Sequence, residues 1–306
     1  MIGRTEVREA AERVAGRVRR TPTLALDGET VLKLECLQHT GSFKVRGATN
    51  VALSHPGSLP AAGLVAASGG NHGLAVAHVA RELGVPAEIF VPEVSPTVKR
   101  ERIAALGAAV VVGGAIYDDA AAACRTRAAE SGALEIHPFD HDATIAGAGG
   151  VAMELWEDEP ELDTVLVAVG GGGLLGGTLA WYGRAVKVVA VEPERSCALH
   201  AALRDGGPVE VEVAGVAADS LGARRLGMLA YEQAAARLAV SLTVHDEDIV
   251  EAQRQLWERA RVVAEPGGAT AYAALVGGAY RPARGERVGV IVCGANVDPG
   301  TVVRSR

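Results

Sequence analysis

Only four of the 30 basic Lys and Arg side chains in this 306-residue chain are lysines. One of them, Lys44, lies in Gly41-Ser42-Phe43-Lys44-Val45-Arg46-Gly47, between glycines and beside a hydroxyl and an aromatic ring. An arginine keeps its proton in any protein setting, whereas a lysine can give it up and become a nucleophile or base. Lys44 is therefore a candidate nucleophile or base. Lys99 sits among Arg100, Glu101 and Arg102, the pattern of a solvated helix face.

Two further segments carry binding potential. Gly170, Gly171, Gly172 and Gly173 follow an apolar run and precede a helix-like stretch beginning at Leu174. Four side-chain-free residues leave their N–H groups open, and a helix start adds a positive dipole end, which together make a phosphate cradle or else a flexible tight turn. The run lacks the Gly-Lys-Ser/Thr ending of a nucleotide loop and any clear dinucleotide fingerprint, so a nicotinamide oxidoreductase is weakly supported. Ser68-Gly69-Gly70-Asn71-His72-Gly73 offers a hydroxyl, an amide and exposed backbone donors for a carboxylate and a phenolic oxygen, or is an ordinary turn with an Asn cap. His72 reads more readily as structural than as a base. Cys293, at a strand end, reads on its own as buried packing.

These segments need a scaffold. Apolar strand-like runs at 64–67, 88–91, 108–112, 164–169, 186–191 and 287–292 read as buried strands. A helix is expected over 71–83 with Gly84 as its C-cap, and another from a Ser95 N-cap and first-turn Pro96 to Gly107. Strands alternating with helices imply parallel sheets with right-handed crossovers. Ligands in such sheets sit beyond the carboxyl ends of strands, where the loops at 41–47, 68–73, 170–173 and 293–298 are expected.

Composition narrows the class. Apolar residues make up 49% and aromatics 4%, so the core must be built from Ala, Val and Leu. A net charge of −7 argues against a nucleic-acid surface. No apolar run reaches membrane-spanning length, and residues 1–20 carry charges throughout, so no membrane partner and no secretory signal are expected. Cys36, Cys124, Cys197 and Cys293 show no metal-ligand spacing and suit a reducing cytoplasm.

Taken in order, the segments resemble the threonine/serine dehydratase family of fold-type II pyridoxal-phosphate (PLP) enzymes. The resemblance runs from Arg20-Thr21-Pro22 through Leu34-Glu35-Cys36-Leu37-Gln38, 40–47, 68–73, His137-Pro138-Phe139-Asp140 and Ile145-Ala146-Gly147. It continues through 170–174, Val191-Glu192-Pro193, Glu265-Pro266 and 293–298. It implies an α/β fold of the tryptophan synthase β type, two open parallel-sheet lobes with the cofactor between them. The large lobe would comprise 1–41 and 141–306, the small lobe 42–140. It also implies a homodimer.

The same resemblance implies roles. Lys44 would form the Schiff base and then remove the substrate's α-proton, with Ser42 assisting position or proton transfer. Phe43 would pack on the cofactor ring, Asn71 would bond its phenolic oxygen, and Cys293 would face its nitrogen. Gly170, Gly171, Gly172, Gly173 and Leu174 would hold the phosphate. Ser68, Gly69, Asn71 and His72 would bind the substrate carboxylate, largely through backbone N–H groups. The implied reaction is β-elimination from L-threonine or L-serine, giving a 2-oxo acid and ammonia.

Departures from the family's racemase branch bear on the alternatives. Gly69 stands where that branch carries a hydroxyl, and Ala198 stands where it carries a metal-binding aspartate after the Glu192-Pro193 pair; no metal is expected. Ala148 and Gly150 replace the usual residues of a third motif. A serine racemase, a dehydratase of a bulkier β-hydroxy amino acid, and a non-catalytic PLP-binding sensor are the rival readings.

Overall fold

The computed structural model describes residues 1–303. Ten strands among the described residues form two sheets. They are β1 (Thr23–Ala25), β2 (Thr30–Lys33), β3 (Leu64–Ala67), β4 (Ala87–Val91), β5 (Ala109–Val112), β6 (Leu134–Glu135), β7 (Thr164–Ala168), β8 (Lys187–Pro193), β9 (Val240–Val244) and β10 (Val288–Ile291). The larger sheet runs β1-β2-β10-β7-β8-β9 and the smaller β5-β4-β3-β6. Every pairing is parallel except β1 with β2. That antiparallel edge, together with β2, β6 and β9, does not stand out in the sequence, because these strands are short or polar at their ends.

The central strands are continuous apolar runs because helices cover both faces. All five residues of β7 are buried. The Gly173–Tyr182 helix behind the glycine run is buried along its whole length, as an all-apolar helix must be. Its glycines allow close packing: a Cβ on Gly177 would strike the backbone of Ile145 and Gly149 in the neighbouring Asp142–Asp158 helix. Among the described residues, no helix is long and apolar enough to cross a membrane.

The Asn71–Leu83 helix and its Gly84 cap, at φ 68°, match the sequence expectation. Two expectations need correction. The helix after residue 95 spans Thr97–Ala104, with Pro96 rather than Ser95 at its N-cap and no side-chain cap bond; the extended ψ of 139° at Pro96 keeps it outside the first turn. The chain beyond Ala104 continues as a tight turn to Gly107, whose φ of 91° ends helical geometry. Strand β5, read as buried from its Ala-Val-Val-Val run, is a largely exposed edge strand, since an apolar run cannot by itself reveal whether a second neighbour covers it.

Candidate active site

The carboxyl ends of β3 and β6 in the smaller sheet approach those of β2, β7 and β10 in the larger one through the contacts described below. Lys44 is the first residue of the Lys44–Ser54 helix and not a loop residue as expected. The turn before it is sewn to the end of β10. Phe43 donates its N–H to the Cys293 carbonyl at 3.2 Å, Ala295 donates to Gly41 at 2.9 Å, and Ser42 bridges Gly294. A Cβ on Gly294 would push aside the Glu265 carboxylate.

Thr40 holds the left-handed region at φ 58°, a genuine strain for a β-branched residue. It places its carbonyl within 2.8 Å of the Asn296 amide.

The Lys44 amine donates to the Pro138 carbonyl at 2.8 Å and lies 5.2 Å from the centre of the Phe43 ring. Among the described residues no carboxylate pairs with it. The side chain keeps some exposed surface, yet desolvation by the surrounding protein lowers the amine to about 8. At neutral pH such an amine is unprotonated about a tenth of the time, far more often than an ordinary lysine.

The glycine run follows β7 directly. Gly170, Gly171 and Gly172 form the turn, Gly172 in the left-handed region at φ 95°, while Gly173 and Leu174 already belong to the helix. Backbone N–H groups in a first helical turn have no intrahelical acceptor, so Gly173 and Leu174 present donors at a positive dipole end. The protein packs closely around this turn. A Cβ on Gly171 would strike the Phe139 ring, one on Gly172 would strike Ala230, and one on Gly170 would come within 3.2 Å of the Leu221 backbone. Gly227 steadies the turn by donating to the Gly171 carbonyl at 3.1 Å.

The third segment leads into the Asn71–Leu83 helix. Ser68 caps the turn by accepting from the Gly70 N–H at 3.2 Å. Gly69 has ordinary backbone geometry, and a Cβ there would meet the Ser95 hydroxyl at 2.9 Å. His72 is buried, with Nε2 2.7 Å from the Ile136 carbonyl and Nδ1 without a protein partner. Burial drives it down to about 3, so the ring is neutral, carries its proton on Nε2 toward that carbonyl, and cannot donate to a carboxylate. Any contribution of His72 to anion binding comes from its backbone N–H.

Asn71 is held at both ends: Nδ2 donates to Glu265 at 2.5 Å and Oδ1 accepts from Asn296 at 2.6 Å. The buried Cys293 thiol contacts the Gly267 carbonyl at 3.5 Å, and burial pushes its pKa up far enough to keep it protonated. Ser42 is fully buried and its hydroxyl has no protein partner.

Pro138, Phe139, Glu265 and Asn296 were part of the recognised pattern without an assigned role. Only the fold brings them against Lys44, the glycine run and Asn71. Glu192 is buried and caps the Ala198–Asp205 helix, accepting from the Leu199 and His200 N–H groups at 2.8 Å each; desolvation raises it to about 8.

The donor set fits pyridoxal phosphate. A lysine without a carboxylate partner suits the aldehyde, a turn of glycines at a helix start suits the phosphate, and an orphaned buried hydroxyl at Ser42 awaits a polar neighbour. The class defined by this architecture is the α/β fold-type II pyridoxal-phosphate enzymes. The family described as "Pyridoxal-phosphate dependent enzyme" matches residues 14–294, and the chain belongs to its threonine/serine dehydratase branch.

An L-threonine ammonia-lyase from Thermotoga maritima is 35% identical, covering 99% of this chain and 78% of the relative. An L-threo-3-hydroxyaspartate ammonia-lyase from a Pseudomonas species is 37% identical, covering 96% and 95%. The structure of maize serine racemase superposes with a TM-score of 0.91 at 32% identity, covering 99% of this chain and 96% of the other.

Proposed function

We propose that this chain is an ammonia-lyase that converts L-threonine, L-serine or both to a 2-oxo acid and ammonia by β-elimination. The observation that carries the reading is the Lys44 amine, desolvated to about 8 and free of any carboxylate among the described residues. Bound pyridoxal phosphate supplies the electron sink that acidifies the substrate's α-carbon.

Lys44 would hold the cofactor through its amine, and the same amine, when free, would be the base for the substrate's α-proton. The N–H groups of the glycine run and of Leu174 would hold the phosphate, and the Asn71 amide would orient the ring. Ser68 and the N–H groups opening the Asn71–Leu83 helix orient the substrate carboxylate. Cys293 is the neutral neighbour of the ring nitrogen. A protonated thiol would stabilise positive charge on that nitrogen less than a carboxylate would. Loss of water across Cα–Cβ, then addition of water with release of ammonium, balances the reaction.

Racemisation is the second reading, supported by the overlap with maize serine racemase. Gly69 speaks against it, because it offers no proton donor on the face opposite Lys44. The relative acting on hydroxyaspartate widens the choice of β-substituent. A homodimer working in the cytoplasm completes the proposal; four free thiols support a reducing compartment.

A panel of L-threonine, L-serine and L-threo-3-hydroxyaspartate, scored for 2-oxo acid, ammonia and D-enantiomer, tests the reading. Elimination should exceed racemisation by about 10²–10⁴, the usual value of a positioned acid. Gly69→Ser should narrow that gap, since its backbone tolerates a side chain and the hydroxyl of Ser95 can rotate aside. D-serine formed as fast as pyruvate by the native protein would replace the lyase reading with racemase.

A further inference from the structure

An asparagine side chain can turn over with almost no change of shape, exchanging a donor for an acceptor. Which end of Asn71 faces a ligand is therefore decided by its neighbours. One end of the chain of neighbours begins at Arg102, exposed on the Thr97–Ala104 helix and lining an open cavity of about 920 Å³.

A guanidinium only donates, so Asn296 must turn Oδ1 toward it, at 2.5 Å. The Thr40 carbonyl only accepts, so it takes a hydrogen from Asn296 Nδ2 at 2.8 Å. The second Nδ2 hydrogen then goes to Asn71 Oδ1 at 2.6 Å. Asn71 is left with Nδ2 toward Glu265, at 2.5 Å. The two one-way groups fix Asn296 and, through it, Asn71, whose Nδ2 then faces the Glu265 carboxyl; burial raises that carboxyl to about 7, and it keeps an acceptor oxygen in either protonation state. The chain also crosses between sheets, since Asn71 and Arg102 follow strands of the smaller one and Thr40 and Asn296 follow strands of the larger.

We propose that Arg102, Asn296 and Glu265 are positioning residues that fix the direction of the Asn71 amide, so that its second Nδ2 hydrogen is the group presented to the phenolic oxygen of the cofactor. This rests on the reading that Asn71 faces that oxygen. A donor there favours the ionised oxygen, and a reversed amide would set one acceptor against another.

The test uses the cofactor-loaded protein, with the pH titration of the bound cofactor's absorbance as readout. Asn71→Ala should move the titration midpoint up by about one to two pH units, the equivalent of one charge-assisted hydrogen bond. Asn296→Asp can donate to neither Thr40 nor Asn71, and should give at least half of that movement. Arg102→Met should move the midpoint in the same direction, and Arg102→Lys, still donor-only, should restore it.

A native midpoint in Asn296→Asp alongside a displaced one in Asn71→Ala overturns the relay and leaves the site reading standing. A native midpoint in Asn71→Ala overturns the role of Asn71 itself, and the relay with it. If Asn296→Asp does not fold, Arg102→Met decides, read in cofactor-free protein by the NMR signals of the Asn71 side-chain NH₂. Altered signals support the relay, and signals identical to native overturn it.

Discussion

Lys33 and Lys44 meet burial in opposite ways. Lys33, at the end of β2, is wholly buried, but its amine reaches Glu154 at 2.8 Å, the Thr21 carbonyl at 2.7 Å and Asp158 at 3.7 Å. The same cluster holds Arg46, two residues beyond Lys44 on one helix. Its guanidinium bonds Glu35 through Nε and Nη2, at 2.8 and 2.7 Å, and Glu154 through Nη1 and Nη2, at 2.7 and 2.8 Å.

Every charge there is answered, so the cluster ties the N-terminal segment, β2 and two helices together and does no chemistry. Lys44 has a single carbonyl for company. Burial alone does not make a lysine reactive; burial without a counter-charge does.

The largest effect expected from this contrast is on turnover. Lys44→Ala should lower it by at least about 10³-fold, since anchor and base vanish together, with the melting temperature little changed. Borohydride reduction of the loaded protein should fix the cofactor on the peptide holding Lys44. An adduct on Lys33 would show that the compensated lysine, not Lys44, carries the cofactor.

Next comes stability. Arg46→Ala leaves two buried carboxylates without their shared partner and should cost about 3–5 kcal/mol in urea unfolding. A loss under about 1 kcal/mol would mean the cluster is not holding the helix that carries Lys44. Smaller again is the effect of Gly171→Ala, whose methyl would press on Phe139 and move the turn away from a bound phosphate. Cofactor affinity should fall by about 1–3 kcal/mol per lost charge-assisted contact, measured by fluorescence titration; native affinity would place the phosphate elsewhere.

The smallest effect concerns pH. Only the neutral amine attacks an aldehyde, and its fraction grows as pH rises through the amine's own value. The rate of cofactor uptake by cofactor-free protein should therefore rise with pH and level off above about 8. A plateau reached only near the ordinary lysine value of 10.5 would show that Lys44 is not desolvated.

Local order by itself determined the segments that need special backbone. The glycine run, the Gly84 cap and the 71–83 helix were legible because glycine, helix periodicity and a stop signal act over a few neighbouring residues. So was Lys44, from its flanking glycines and its rarity against arginine. The position of Lys44 at a helix start, the exposed edge of β5 and the antiparallel β1 were not, because they depend on which strand or turn lies alongside.

Only the tertiary structure decided the company each group keeps. Glu265 and Asn296 stand 194 and 225 residues from Asn71 yet hold its amide at both ends. Glu154 stands 121 residues from Lys33 and answers its charge. Hydrogen bonds and ion pairs act over a few ångströms, so partners so far apart along the chain become neighbours only when two sheets and their helices have packed. That packing left Lys33 compensated and Lys44 free to react.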